Sequence, residues 1–255
     1  MGYNFQVRKA VILASGYGRR MRQKERFPSK PMRLIGYKPL ISYVIDLLIY
    51  GGIEKIYIVY HSVTSDVLDL LKYSDAYAEY LEFIEEDEQK GTLLSFSRVR
   101  DMLSPPFLMV FEDIISDKED FIDMLNIGQR YIASKVDLVI QTVRSPSLFS
   151  EQAFLTEKGR IIRYQKNGIT GEANSTQEKK YGGMVYLWLS NPFPLIEPYL
   201  SDQNYRFSAF LEDYIQEHVV LEMPINDMWD VDTPEAAELT KKILKKRGGW
   251  NGCIE

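Results

Sequence analysis

Cysteine occurs once in the 255 residues, at Cys253, and histidine twice, at His61 and His218. One thiol rules out an intrachain disulfide and a thiolate-held metal cluster, and two histidines rule out a His-rich zinc site. A chain that does without disulfides suits a reducing compartment. No apolar run approaches the roughly 18 to 20 residues needed to cross a bilayer. The apolar stretch in MGYNFQVRKAVILAS is too short for a signal peptide, so a cytoplasmic location is expected. A basic excess is missing as well. The 31 Lys and Arg stand against 36 Asp and Glu, a net charge of −5, which argues against a dedicated nucleic-acid binder.

The composition, 45% hydrophobic and 26% charged, is that of a folded globular protein and excludes disorder as the main state. No internal repeat or low-complexity linker divides the chain, so one domain over residues 1–247 is expected, with a frayed tail at 248–255. The one excess is aromatic, 17 Tyr and 12 Phe. Core packing and subunit contacts, as in a homodimer, would absorb it.

Ala10 to Leu13 is a continuous apolar run closed by Ser15-Gly16, the pattern of a strand buried on both faces. Pro39 then starts a helix whose Ile41, Val44, Ile45 and Leu48 recur at helical spacing, and Gly51-Gly52 stop it. Strand and helix repeat at Ile56 to Tyr60 and Ser65 to Leu71, the second helix capped by Thr64 or Ser65. Further strands are expected near Leu81 to Ile84, at Phe107 to Phe111 and at Asp137 to Val143, with helices at Thr92 to Leu103 and Glu119 to Ile132. The second half changes character. Ala153 to Thr156 and Arg160 to Gln165 flank a Glu157-Lys158-Gly159 turn as a hairpin, Gln177 to Tyr181 is polar enough for a mobile loop, and Gly183 to Leu189 is a strand. A helix at Ser208 to Gln216, a strand at Val219 to Met223 and a helix after Pro234 close the chain. His61 and His218 are expected at strand ends. The alternation implies an α/β fold, a Rossmann-like three-layer, mostly parallel sheet with helices on both faces and a small β-rich lobe.

The segment Leu13-Ala14-Ser15-Gly16-Tyr17-Gly18-Arg19-Arg20-Met21 follows the first strand directly, and Pro28-Ser29-Lys30-Pro31-Met32 follows it. Gly16 and Gly18 permit positive φ and close backbone approach, so consecutive amides can face an anion at the carboxyl edge of the sheet. Neither the third glycine of a dinucleotide fold nor the Gly-Lys-Ser/Thr of a Walker loop is present. Together the two elements resemble the sugar-nucleotide type nucleotidyltransferases, whose fold is the nucleotide-diphospho-sugar transferase type. The resemblance implies that Leu13, Ala14, Ser15, Gly16, Gly18 and Arg19 bind nucleotide, that Arg20 contacts the β and γ phosphates, and that Lys30 reaches the α-phosphate. Gln89-Lys90-Gly91-Thr92 is similar to the family's segment near base and ribose, with Gly91 and Thr92 the expected contacts. The chain departs from the pattern at Ser15, at Arg19, at the inserted Ser29 and at Glu112, where the family usually has glycine.

Asp113 ends the Phe107 to Phe111 strand, and Trp229-Asp230-Val231-Asp232-Thr233-Pro234-Glu235 places two carboxylates before a helix. Hard oxygen ligands suit Mg²⁺, although Thr-Pro-Glu is also a helix start that needs no metal. The resemblance makes Asp113 one ligand and Asp232, with Asp230 close behind, the other, and Mg²⁺ the cofactor. It also implies that Lys166 holds the phosphate of an acceptor, where a solvated hairpin lysine is the plain alternative, and that Gly183 lines the acceptor pocket. The substrates it implies are small molecules, an NTP and a phosphorylated alcohol or sugar. The Asp-Val-Asp-Thr-Pro-Glu ending looks most like the cytidylyltransferases of polyol and choline phosphates, with CTP and inositol 1-phosphate as substrates. Hexose 1-phosphate transfer, or nucleotide binding without chemistry, are the other readings.

Overall fold

The computed structural model describes residues 6–16, 18, 28–144, 152–166, 174–226 and 228–246. The expected tail at 248–255 lies outside the described residues. In chain order the first elements are β1 (Lys9–Leu13), the two short strands β2 (Leu34–Ile35) and β3 (Lys38–Pro39), α1 (Leu40–Tyr50), β4 (Lys55–Tyr60) and β5 (Leu81–Glu85). They are followed by α2 (Thr92–Ser97), β6 (Phe107–Phe111), β7 (Ile114–Ser116), α3 (Lys118–Tyr131) and β8 (Leu138–Val143). The second half contributes β9 (Gln152–Glu157), β10 (Arg160–Lys166), β11 (Gln177–Trp188), α4 (Phe193–Ser201), α5 (Phe207–Glu217), β12 (Val220–Ile225), β13 (Met228–Asp230) and α6 (Pro234–Lys246).

Nine strands form one sheet in the order β5-β4-β1-β6-β11-β8-β12-β10-β9. The half that carries the glycine loop is parallel, with Ile12 beside Ile58 on one side and Val110 on the other. β11 then runs antiparallel between β6 and β8, so the sheet is mixed beyond β6. Successive residues of the central strands point to opposite cores. Ala10, Ile12, Leu108 and Val110 pack with Ile41, Val44 and Phe121 of α1 and α3, whereas Val11, Leu13, Phe107 and Met109 pack with α2, α4 and α5. That alternation produces the three layers. The largest group of aromatics sits in the second core, where the Phe96 ring centroid lies 5.0 to 6.2 Å from those of Phe107, Trp188, Phe193 and Phe207. A third, smaller core joins Ile35, Leu40 and Tyr43 to Ile115, Val231 and α6.

Several expectations need correction. Gln177 to Tyr181 is the first half of β11, held by antiparallel pairing of Gln177 with Glu157 through Tyr181 with Ala153. Within this segment Lys180 is buried and paired with Glu178 at 2.7 Å and Glu222 at 3.7 Å. The helix after β4 is a 3₁₀ segment, Ser62–Lys72, kinked at Thr64 and capped by His61, whose ring accepts from the Val63 amide. The α-helix that starts at Thr92 ends at Ser97 and continues as turns toward Leu103. α4, with Pro192 as its cap, Pro194 in its first turn and Pro198 inside it, has no counterpart among the expected helices. His218 ends α5, stacked on Tyr214 at 4.0 Å between ring centroids, rather than ending a strand.

Candidate active site

The parallel strands β1 and β6 end on one edge of the sheet, and the segments beyond them wall a cleft of about 620 Å³. The Ala14 amide continues the ladder to the Val59 carbonyl at 2.9 Å, which places Ser15 and Gly16 just past the last sheet bond. Leu13, Ser15, Gly16, Gly18 and Lys30 line the cleft on this side, Gly91 and Thr92 at the start of α2 face them, and Asp113, Asp230 and Asp232 line the floor. Ala14 is buried beneath it. Arg19 and Arg20 lie outside the described residues. Gly183 is not a lining residue, but its neighbour Met184 is. Lys166 ends β10 in register with Gln152, which does line the cleft.

Two backbone segments converge to make the acidic floor. β13 pairs antiparallel with β7, Asp230 opposite Ile114, and the Val231 amide donates to the Asp113 carbonyl at 2.9 Å. As a result, ligand-capable oxygens of Asp113, Asp230 and Asp232 all lie within 4.8 Å of one another. The Lys30 ammonium donates to Asp113 Oδ2 and to Asp232 Oδ1. Lys30 is presented by a single 3₁₀ turn, Lys30–Met32, and is buried.

Burial alone would push the Lys30 pKa down, but the carboxylates of Asp113, Glu112, Asp232 and Asp230 outweigh it and raise the pKa, so the group stays a cation. One ammonium cannot balance four carboxyls. Burial, and then the Asp113 charge, push Glu112 up to about 8. Burial also raises Asp113, with Lys30 pulling the other way. Asp113 Oδ1 is buried and accepts no hydrogen bond among the described residues. A buried, undercompensated set of hard oxygens with an unused lone pair fits a divalent cation.

Gly18 has φ +54°, and a Cβ there would stand 2.8 Å from Lys30 Cβ, so the glycine is what lets the loop lie against the lysine stem. Gly183 has φ +78° at an irregularity in β11, and a Cβ would stand 2.5 Å from the Phe154 ring. Among cleft residues, sequence reasoning missed Ser95 and Gln152. The Ser95 hydroxyl meets that of Ser15 at 2.9 Å, and its place one turn after Gly91 is a readable signal. Gln152 accepts from the buried Tyr186 hydroxyl at 3.1 Å and carries no local signal. Gln89 donates to the Ser15 carbonyl and ties the segment before α2 to the glycine loop.

This arrangement of glycine loop, lysine and carboxylates has counterparts. The chain is 25% identical over 241 residues to the bifunctional protein GlmU of Methanocaldococcus jannaschii, covering 93% of this chain and 54% of that protein. It is 27% identical over 161 residues to mannose-1-phosphate guanyltransferase beta-A of Xenopus laevis, covering 61% of this chain and 44% of the other. It thus spans about half the length of these curated relatives. In fold it is similar to UDP-glucose pyrophosphorylase complexed with UDP-glucose, with a TM-score of 0.76 at 15% identity over 95% of this chain and 100% of that one. It is likewise similar to the inositol-1-phosphate CTP transferase from T. maritima, with a TM-score of 0.74 at 16% identity over 95% and 98%. Residues 9–163, from the first residue of β1 to within three residues of the end of β10, match the family described as Nucleotidyl transferase, and the chain belongs to that family.

Proposed function

We propose that the chain transfers a nucleotidyl group from an NTP to a phosphorylated small molecule, releasing pyrophosphate. The observation that carries this reading is the Lys30 ammonium bridging Asp113 and Asp232 in the cleft beside the glycine loop. Nucleotidyl transferases of this family use divalent metal ions. Asp113 and Asp232, with Asp230 adjacent, would hold one, which we take as Mg²⁺, and it would neutralise phosphate charge.

The acceptor phosphate oxygen is an anionic nucleophile already, so attack on the α-phosphorus needs no general base, and the chain's residues have to position and to neutralise. This suits a cleft without histidine among its described lining residues. Backbone amides at Ser15, Gly16 and Gly18 cradle the triphosphate, Arg19 and Arg20 keep the nucleotide and phosphate contacts that the resemblance implies, and Lys30 leaves the carboxylates for the α-phosphate as charge moves to the leaving group. Gly91 and Thr92 border base and ribose, while Lys166 and Gly183 border the acceptor, all on one catalytic domain.

For the substrates we take CTP and inositol 1-phosphate, on the strength of the Asp230 to Glu235 element. Hexose 1-phosphate is the second reading, favoured by the relative named as a mannose-1-phosphate guanyltransferase. Pyrophosphate release over four NTPs, with Mg²⁺ and inositol 1-phosphate, choline phosphate, glucose 1-phosphate or mannose 1-phosphate, decides between them. Release with CTP and inositol 1-phosphate supports the first. Release with a hexose 1-phosphate supports the second, and none with any pair overturns both in favour of a nucleotide-binding protein without this chemistry.

A further inference from the structure

We propose that Asp66 is a positioning residue for Lys30, acting through the backbone of Ser29; the inference rests on the role given to Lys30 above. Asp66 lies in the 3₁₀ segment Ser62–Lys72, between the buried Val63 and Val67, and is 37 positions from the residue it holds. Its Oδ2 accepts the Ser29 amide at 2.7 Å. Ser29 is the cap of the single turn that presents Lys30, and its own hydroxyl makes no capping bond. On the other side of the same residue the Ser29 carbonyl accepts the Met32 amide at 3.0 Å, and the Lys30 carbonyl accepts Arg33 at 3.2 Å. The turn is therefore tied at its entry by Asp66 and closed by its own backbone.

The stem of Lys30 has a second restraint in Gly18, whose missing side chain lets the loop lie directly against it. A lysine carries several rotatable bonds, and a three-residue 3₁₀ turn has little stability of its own. With Gly18 at the stem and Asp66 at the backbone, the ammonium can change partners from carboxylate to phosphate while its Cα stays in place.

Three measurements test the proposal. In the wild-type protein the Ser29 amide should be protected from hydrogen exchange; exchange at the unfolded rate overturns the proposal without any variant. In Asp66→Ala, acetic anhydride labelling of Lys30 read by mass spectrometry should rise about fivefold or more as the turn opens locally. Labelling of the buried Lys38 serves as control. Asp66→Asn keeps an oxygen acceptor and should label as wild type. Unchanged Lys30 labelling in Asp66→Ala, or an equal rise at Lys38, overturns a role specific to Lys30. In turnover, Asp66→Ala should lower kcat about tenfold or more with both KM values nearly unchanged, in line with the cost of misplacing a catalytic group. Asp66→Asn should restore most of it, and adding Asp66→Ala to Lys30→Ala should cost nothing further. A further loss in the double variant overturns the proposal. If no substrate pair turns over in the wild type, the functional reading fails, while exchange and labelling still decide the role of Asp66.

Discussion

The Val231 amide donates to the carbonyl of Asp113 at 2.9 Å, and this one backbone bond joins the two acidic segments that lie more than a hundred residues apart in the chain. Because Asp230 and Asp232 flank Val231, their carboxylates are delivered to either side of the bond while Val231 itself enters the third core. Alternation along an extended segment thus turns one apolar anchor into two carboxylates on the cleft side. Lys30 then supplies the charge that lets the carboxylates stay together.

Replacing Lys30 with Met should therefore have two separable effects. Turnover should fall roughly 10²- to 10³-fold, as when one preorganised charge-stabilising donor is removed. Without metal, unfolding free energy should also fall by about 3 to 5 kcal/mol, because buried carboxylates lose their partner. Thermal unfolding with and without Mg²⁺ checks the second effect. The metal should recover part of the loss, and a variant at least as stable as wild type without metal would show that Lys30 is not the countercharge.

The proposed metal site predicts an order of effect among the three aspartates. Mn²⁺ binding followed by electron paramagnetic resonance should weaken by at least about tenfold in Asp113→Asn and in Asp232→Asn, since loss of an outer-shell partner alone typically costs that much. Asp230→Asn should weaken it less. The exposed Asp101→Asn should leave it unchanged. If Asp230→Asn has the largest effect, the ligand assignment between the two carboxylates reverses.

Gly18→Ala tests the packing between loop and lysine. The left-handed backbone costs a non-glycine residue about 1 to 2 kcal/mol, and the 2.8 Å approach to Lys30 Cβ adds displacement of the Lys30 side chain. Urea unfolding should report a stability loss of that order, and kcat should fall by more than stability explains. Wild-type kcat in a stably folded Gly18→Ala would show that the loop yields without moving Lys30.

How much of this was readable from sequence depended on whether the partner was local. β1, β6 and the lysine element were legible because each is a short run whose residues explain themselves: apolar stretches, glycines, a prolyl-flanked lysine. Gln177 to Tyr181 was not. Its polar residues form a strand only because β9 lies alongside and Lys180 finds Glu178 and Glu222. The His61 cap was missed because histidine is an unusual cap, although its ring nitrogen can accept an amide hydrogen bond. Asp113 could be placed at a strand end, but its bond to Val231 and that of Asp66 to Ser29 join residues far apart in sequence.

Glu86 gives the protein a pH dependence of predictable sign. Burial raises its carboxyl above the usual range. The hydroxyls of Ser95 and Ser15 favour the charged form without completing a well-formed hydrogen bond to either oxygen, and His61 and Arg98 favour it at longer range. The folded state thus holds a proton that the unfolded chain releases near pH 4.3, so its contribution is fully present below that pH and is lost as pH rises through the raised value. Glu86→Gln should be more stable than wild type at neutral pH, and the difference should vanish below about pH 4. Denaturant unfolding at pH 4 and pH 7 checks it. A Glu86→Gln protein destabilised at pH 7 would mean that the carboxylate is paired.

Phe96 links the aromatic core to the cleft. It is fully buried, its ring packs among Phe107, Trp188, Phe193 and Phe207, and it follows Ser95, whose hydroxyl meets Ser15 in the glycine loop. Phe96→Ala leaves a cavity among four large rings that cannot easily collapse, so unfolding free energy should fall by about 3 to 5 kcal/mol. The gap also frees α2, a helix of only six residues that begins at the cleft. The KM for NTP should rise while the KM for acceptor phosphate stays near wild type, if Gly91 and Thr92 border base and ribose as proposed. Steady-state kinetics well below the unfolding temperature separate the two effects. A Phe96→Ala protein with both KM values raised equally would place α2 outside nucleotide recognition and assign Phe96 to the core alone.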